Sequence, residues 1–227
     1  MTGDLTPGWV PAVLTIEVVS PCVIGVDPGG TLEADVVSVS DAYGLPYVPR
    51  YRLAARLRDA ALTVLSQASV DRDGDLAVAR ELFGAGATSE GARRAVTVGH
   101  ARLPRATQAV VASAIGASEG ESPTSRVLRS AVRSALTTTL VSTARDVRGA
   151  PLVGTLRDVE AVIAGVVFEA ALTWAAGSPT AAQARFLARC VVALTQIGQG
   201  ETDFRGRVDC ALDGDRAATV ALAFGER

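Results

Sequence analysis

The order in which apolar spacing switches between a period of two and a helical period constrains this fold more than any single motif. Val13, Thr15 and Glu17 alternate with Leu14, Ile16 and Val18, which predicts a half-buried strand over 12–19. From Arg50 the spacing turns helical. Leu53, Leu57, Ala60, Ala61, Val64 and Leu65 form one apolar stripe, with Arg52 and Arg56 one turn apart on another face. A second helical stretch, Leu76 to Leu82, stops at Phe83-Gly84, and Ala95 to His100 reads as a short strand. Glu160 to Trp174 reads as one long strand, with Val166, Phe168, Ala170, Leu172 and Trp174 sharing a face. Ser178-Pro179 predicts a helix start, Ser as N-cap and Pro first in the helix, running to Ile197-Gly198. That helix carries Leu187, Cys190, Val191 and Leu194 inward and Arg185 and Arg189 outward. A strand from Arg207 to Leu212, an Asp213-Gly214 hairpin turn and a last strand from Thr219 to Phe224 follow.

Strand, helix, strand, strand, helix, strand is the order of a ferredoxin-like (RRM-like) α+β domain, a sheet with helices on one face. No Pro/Gly/Ser-rich linker divides the 227 residues, so a single domain over 1–227 with insertions is expected. Ser113 to Thr139 is the least regular part, and Gly116 to Ser125 is rich in Gly, Ser and Glu. A mobile insertion over 113–133 is expected there. Arg126, Arg129 and Arg133 would share one face if a helix forms.

All 22 basic residues are Arg, and the sequence contains no Lys. This excludes a phosphate-binding P-loop lysine, a Schiff base and a kinase lysine. His100 is the only His, and no nucleophile-elbow motif accompanies it, so a Ser-His-Asp triad has little to stand on. Zinc chemistry has too few ligands. Cys22, Cys190 and Cys210 are scattered in apolar surroundings and read as small buried hydrophobes of a reducing compartment. No apolar run approaches the ~20 residues of a membrane helix, and no signal-peptide pattern opens the sequence, so a cytoplasmic protein without membrane contact is expected. A net charge of −2 argues against nucleic acid unless the arginines cluster on one face.

The stretch Gly198-Gln199-Gly200-Glu201-Thr202-Asp203-Phe204-Arg205-Gly206-Arg207-Val208 lies between a helix and a strand, the reverse of a Rossmann or P-loop setting. Its glycines let backbone approach a ligand, and Arg205 and Arg207 can pair with phosphate oxygens. Taken with other segments, it carries a resemblance. Gly44-Leu45-Pro46-Tyr47-Val48-Pro49, then Leu53 and Leu57-Arg58, resembles the "GLPYIPGSSLKGxLR" segment of the RAMP superfamily of CRISPR effector subunits. Leu82-Phe83-Gly84 is similar to that family's "LFG". Val141-Ser142 to Arg145, Gly149-Ala150, Gly154, Leu156, Glu160, Gly165 and Phe168 resemble its "VSIDRxTGAxxxGxLxxxExVxxGxxF". Gly206-Arg207-Val208 matches the "GRV" that closes its late glycine-rich loop.

The size and layout are most similar to the type III backbone subunit. The resemblance implies partners: guide RNA, target RNA, copies of itself in a filament-like backbone, and other effector subunits. It implies a thumb-like excursion at the insertion. It also implies RNA contacts at Arg50, Tyr51, Arg52, Arg56, Arg145, Gly198, Gly200, Arg205, Gly206 and Arg207. Asp35 and Asp41 keep the spacing of the family's "DxPVxxD", so Asp35 falls on the position that cuts target RNA with Mg²⁺ or another divalent cation. Other readings are a non-catalytic structural subunit of another CRISPR type and a guide-RNA-processing endoribonuclease. The latter usually relies on an N-terminal His, and the N-terminal third here has none. The chain departs from the pattern at Arg50, Tyr51, Arg52 and Ala54, at Ala144 in the middle motif, and at Thr202-Asp203-Phe204.

Overall fold

Four strands carry the architecture: β1 (Val13–Val18), β4 (Val96–Val98), β7 (Val167–Trp174) and β8 (Val208–Leu212). They pair antiparallel in the order β4-β7-β1-β8. The computed structural model behind this description covers residues 9–26, 36–67, 72–84, 94–116, 122–143, 148, 150, 157–198 and 205–225. In the central register Ile16 faces Phe168 on one side and Cys210 on the other, and Leu14 faces Ala170 and Leu212. All six are buried, which is why the alternation in β1 is so clean.

Helices α1 (Arg50–Gln67) and α5 (Ala181–Ala193) pack together over the buried face, with α2 (Arg72–Phe83) and α6 (Arg216–Phe224) against α5. The stripe Leu53, Leu57, Ala60 and Ala61 is buried, as the helical spacing requires. The connections β1-α1-β4 and β7-α5-β8 each leave one strand between their ends. These are the two split β-α-β units of a ferredoxin-like fold. The α+β, ferredoxin-like reading of the sequence is therefore correct.

Two small ladders stand beside the sheet: β2 (Gly25–Val26) with β3 (Val37–Ser38), and β5 (Thr137–Ser142) with β6 (Arg157–Val162). Reciprocal bonds between Cys22 and Val162 (2.9 and 2.8 Å) join them to the end of β1.

Several local expectations need correction. The segment expected as a last strand is helix α6. Asp213 and Gly214 do turn the chain, at φ 51° and 76°, but Asp215 then accepts from the Ala218 amide at 2.9 Å and caps a helix. Thr219 and Ala223, four residues apart, are buried; an Ala-rich run of this length fits either period. The single strand expected over 160–174 is two. Gly165, at φ 85°, breaks it, and its amide bonds Val18 O at 2.8 Å, so the chain leaves β5 and joins β1. Helix α5 is capped by Thr180, two residues beyond Ser178, because Thr180 and Gln183 bond each other's backbone amides reciprocally. The stretch read as least regular over 113–139 holds regular elements where described: α3 (Arg105–Gly116), α4 (Pro123–Leu136) capped by Ser122, then β5.

Among the described residues no helix is long and apolar enough to cross a membrane. The three cysteines are free and buried. Burial pushes each thiol up to about 12, so almost no thiolate forms near neutrality. Iodoacetamide at pH 8 should leave all three unlabelled in the native chain and label all three in denaturant, read by intact mass.

Candidate RNA-binding surface

The entrance to α1 is built by a side-chain-closed turn. Asp41 Oδ1 accepts from the amides of Tyr43 (2.9 Å) and Leu45 (3.1 Å), while Oδ2 faces Arg102 Nη1 at 3.4 Å. Gly44 sits at φ 81° with its open side against α4, where a Cβ would come within 2.6 Å of Arg129 O. Reciprocal bonds between Val48 and Ala101 (2.8 and 3.0 Å) then fix the helix start beside the end of β4. Tyr47 lies edge-on to His100 at 5.4 Å and under Arg102 at 4.9 Å.

Two flanks of α1 border its buried stripe, and helical spacing sorts the basic residues between them. On one flank Arg52 donates to Gly25 O and Arg56 to Gly198 O, each at 2.8 Å. Asp59 stands 3.7 Å from Arg56. A cavity of about 260 Å³ separates this flank from Ile24, Ile197 and Gly198. The guanidiniums here hold the backbone of β2 and of the glycine-rich loop against the helix. The sequence alone could not assign that role, because both acceptors are distant main-chain carbonyls.

The ends of the glycine-rich loop close on each other. Ile197 N donates to Gly206 O, and Gly206 N to Pro21 O, both at 2.9 Å. Gly198 and Gly206 have φ 90° and 71°; a Cβ on them would lie 2.6 Å from Val23 O and 2.2 Å from Ile197 O. Their glycine character is thus required by the fold itself. Arg205 reaches Val141 O at 3.3 Å, and Arg207 is exposed. Gly200, Arg145 and Asp35 lie outside the described residues.

The other flank carries Arg50, Tyr51 and Arg58. Arg50 and Tyr51 are exposed, and the Arg50 amide donates to His100 Nδ1 at 3.2 Å. Burial first, then the charges of Arg102 and Arg50, hold His100 below the ordinary imidazole range, so Nδ1 stays a neutral acceptor.

Asp35's described neighbours are firmly seated. Glu160 N donates to Val36 O at 2.8 Å, and the Glu160 carboxylate accepts from Ser38 N (2.9 Å), Thr137 Oγ1 (2.8 Å) and Arg133 Nε (2.7 Å). A second Arg133 bond, Nη2 to Oε2, makes the pair bidentate. Burial alone would raise the Glu160 carboxyl, but these donors outweigh it and hold the group below its ordinary range. Arg133 is thereby turned inward, while Arg126 is exposed. Asp41, the second acid of the expected cutting pattern, is engaged by the turn and does not fit a cation ligand. Among the described residues no three His, Cys, Asp or Glu side chains gather as a metal site.

Fold and surface together define a class: a ferredoxin-like domain whose first helix presents arginines on two flanks. No family model and no curated protein matches the chain. Among solved structures it is similar to a chain in the cryo-EM structure of the Type III-B Cmr-beta bound to cognate target RNA. There the identity is 13% and the TM-score 0.61, over 88% of this chain and 95% of that one. A chain in the apo-state Type III-B Cmr-beta structure gives 14% and 0.60, over 90% and 97%. At these identities the likeness is one of fold.

Proposed function

We propose that this chain is the guide-RNA-binding, repeating backbone subunit of a CRISPR ribonucleoprotein effector of type III character, acting in antiviral defence. Its partners are guide RNA, target RNA, copies of itself and other effector subunits. The observation that carries the reading is the fold shared, over nearly the full length of both chains, with a chain in an assembly described as bound to target RNA. The Arg56–Gly198 bond adds support, because it joins two of the four segments that carry the sequence resemblance. The net charge of −2 is compatible with this, since phosphate binding depends on local arginines rather than on the average. RNA copurification with the native complex tests it; a complex free of RNA overturns it.

Target cutting by Asp35 with a divalent cation is the competing reading that the sequence resemblance raises. The engagement of Asp41 in its turn favours the non-catalytic reading instead. Asp35→Ala separates the two. Loss of target cleavage by the assembled complex, with guide binding retained, assigns the cutting to Asp35. Unchanged cleavage removes Asp35 from that role.

A further inference from the structure

Arg50, Tyr51 and Arg58 share a cleft of about 470 Å³ with Phe83 at the end of α2 and Arg94 beside β4. Its floor is apolar, formed by Leu57, Val96, Val98, Leu172 and Leu187. A volume of this size suits one small ligand or one nucleotide. The charge pattern is specific. No described carboxylate lies within ion-pair distance of Arg50, Arg58 or Arg94, whereas Arg56, Arg102, Arg133, Arg189 and Arg216 each have an acidic partner. Three guanidiniums without a carboxylate partner among the described residues therefore line one concavity, beside the first two and a half turns of α1. Tyr51 is 64% exposed at the rim, with the Arg52 guanidinium 5.8 Å from its ring centroid. An exposed aromatic beside free arginines is the arrangement that stacks a splayed base and grips its phosphate.

We propose that this cleft, rather than the Arg52–Arg56 flank, is where the chain seizes single-stranded RNA: one nucleotide's phosphate among Arg50, Arg58 and Arg94, its base against Tyr51. This rests on the RNA-holding reading and adds Arg58 and Arg94 to the contact set. The Arg52–Arg56 flank has its guanidiniums bonded to main-chain carbonyls and acts mainly to position the glycine-rich loop. Arg94 packs over Gly84, 3.6 Å from where a Cβ would stand, so its direction into the cleft is set by α2's end.

The test uses the full chain and a short single-stranded RNA containing 4-thiouridine. The double variant Arg58→Gln/Arg94→Gln is compared with Arg80→Gln/Arg185→Gln, which removes the same charge from exposed sites elsewhere. Affinity should fall at least about tenfold in the first variant, with a salt slope shallower by about one to two phosphates, and stay within about twofold in the second. Tyr51→Ala should cost about tenfold, and photocrosslinks should map to Tyr51 or its neighbours. Thermal melting confirms that each variant is folded. RNA binding that survives in the cleft variants, with crosslinks elsewhere, overturns the cleft and leaves the RNA-holding reading standing. Absence of RNA binding by the wild-type chain and its native complex overturns both.

Discussion

Gly206→Ala should destabilise the chain by about 3–5 kcal/mol, a large part of the ~5–15 kcal/mol that holds a typical domain together. Two terms add. A left-handed φ of 71° costs an L-residue about 1–2 kcal/mol by itself. The new Cβ would then lie 2.2 Å from Ile197 O, a backbone atom that cannot swing aside. Relief requires breaking the Ile197–Gly206 and Gly206–Pro21 bonds that close the glycine-rich loop. Gly177→Ala isolates the first term, because Gly177 has a similar φ of 81° and open space around it. Urea unfolding should show Gly177→Ala near 1 kcal/mol and Gly206→Ala well beyond it. Equal losses would mean that the loop's ends are not pressed together as described.

Glu160→Ala is the second large effect, about 2–4 kcal/mol, because it strands Arg133 and releases Ser38 and Thr137 together. The cost falls at the low side of buried pairs, since the Arg133 side chain is 29% exposed and solvent screens it in part. Because the folded-state carboxyl is held below its unfolded value, Glu160 stabilises the chain fully above the unfolded glutamate range of ~4.3. That contribution is lost as pH falls through the folded value. The stability gap between wild type and Glu160→Gln should therefore be widest near neutrality and narrow in acid. A gap independent of pH would show that the Arg133–Glu160 charge pair carries no stability.

Local periodicity recorded much of this fold. The alternation of β1 and the stripe of α1 are legible because each element buries one face, and burial writes itself into spacing. Where spacing is ambiguous the sequence misled. The Ala-rich run of α6 fits either period, and only Asp215's cap decides it. The break between β6 and β7 depends on one left-handed glycine in an otherwise uniform apolar stretch. Helix α3 is dominated by Ala and small polar residues and gives little amphipathic signal, whereas α4 carries a clear helical spacing of Arg126, Arg129 and Arg133 that the Gly- and Ser-rich stretch before it obscured.

The candidate surface was legible in part. Arg50 and Tyr51 could be placed at a helix entrance from Pro49 onward. The division of labour on α1 was not, because it depends on which distant backbone crosses each flank. Arg58 had a signal in its eight-residue spacing from Arg50, which keeps both on one flank. Arg94 had none, since it reaches the cleft from beside another strand.

The central claim is that this chain holds guide RNA as part of a larger assembly. Isolating the native complex through a tag on this chain and sequencing its nucleic acid tests that most directly. The expected result is RNA of defined length sharing a common repeat-derived end, depleted when Arg50, Tyr51, Arg58 and Arg94 are replaced together. A complex without RNA, or with RNA unrelated to any repeat, would contradict the account.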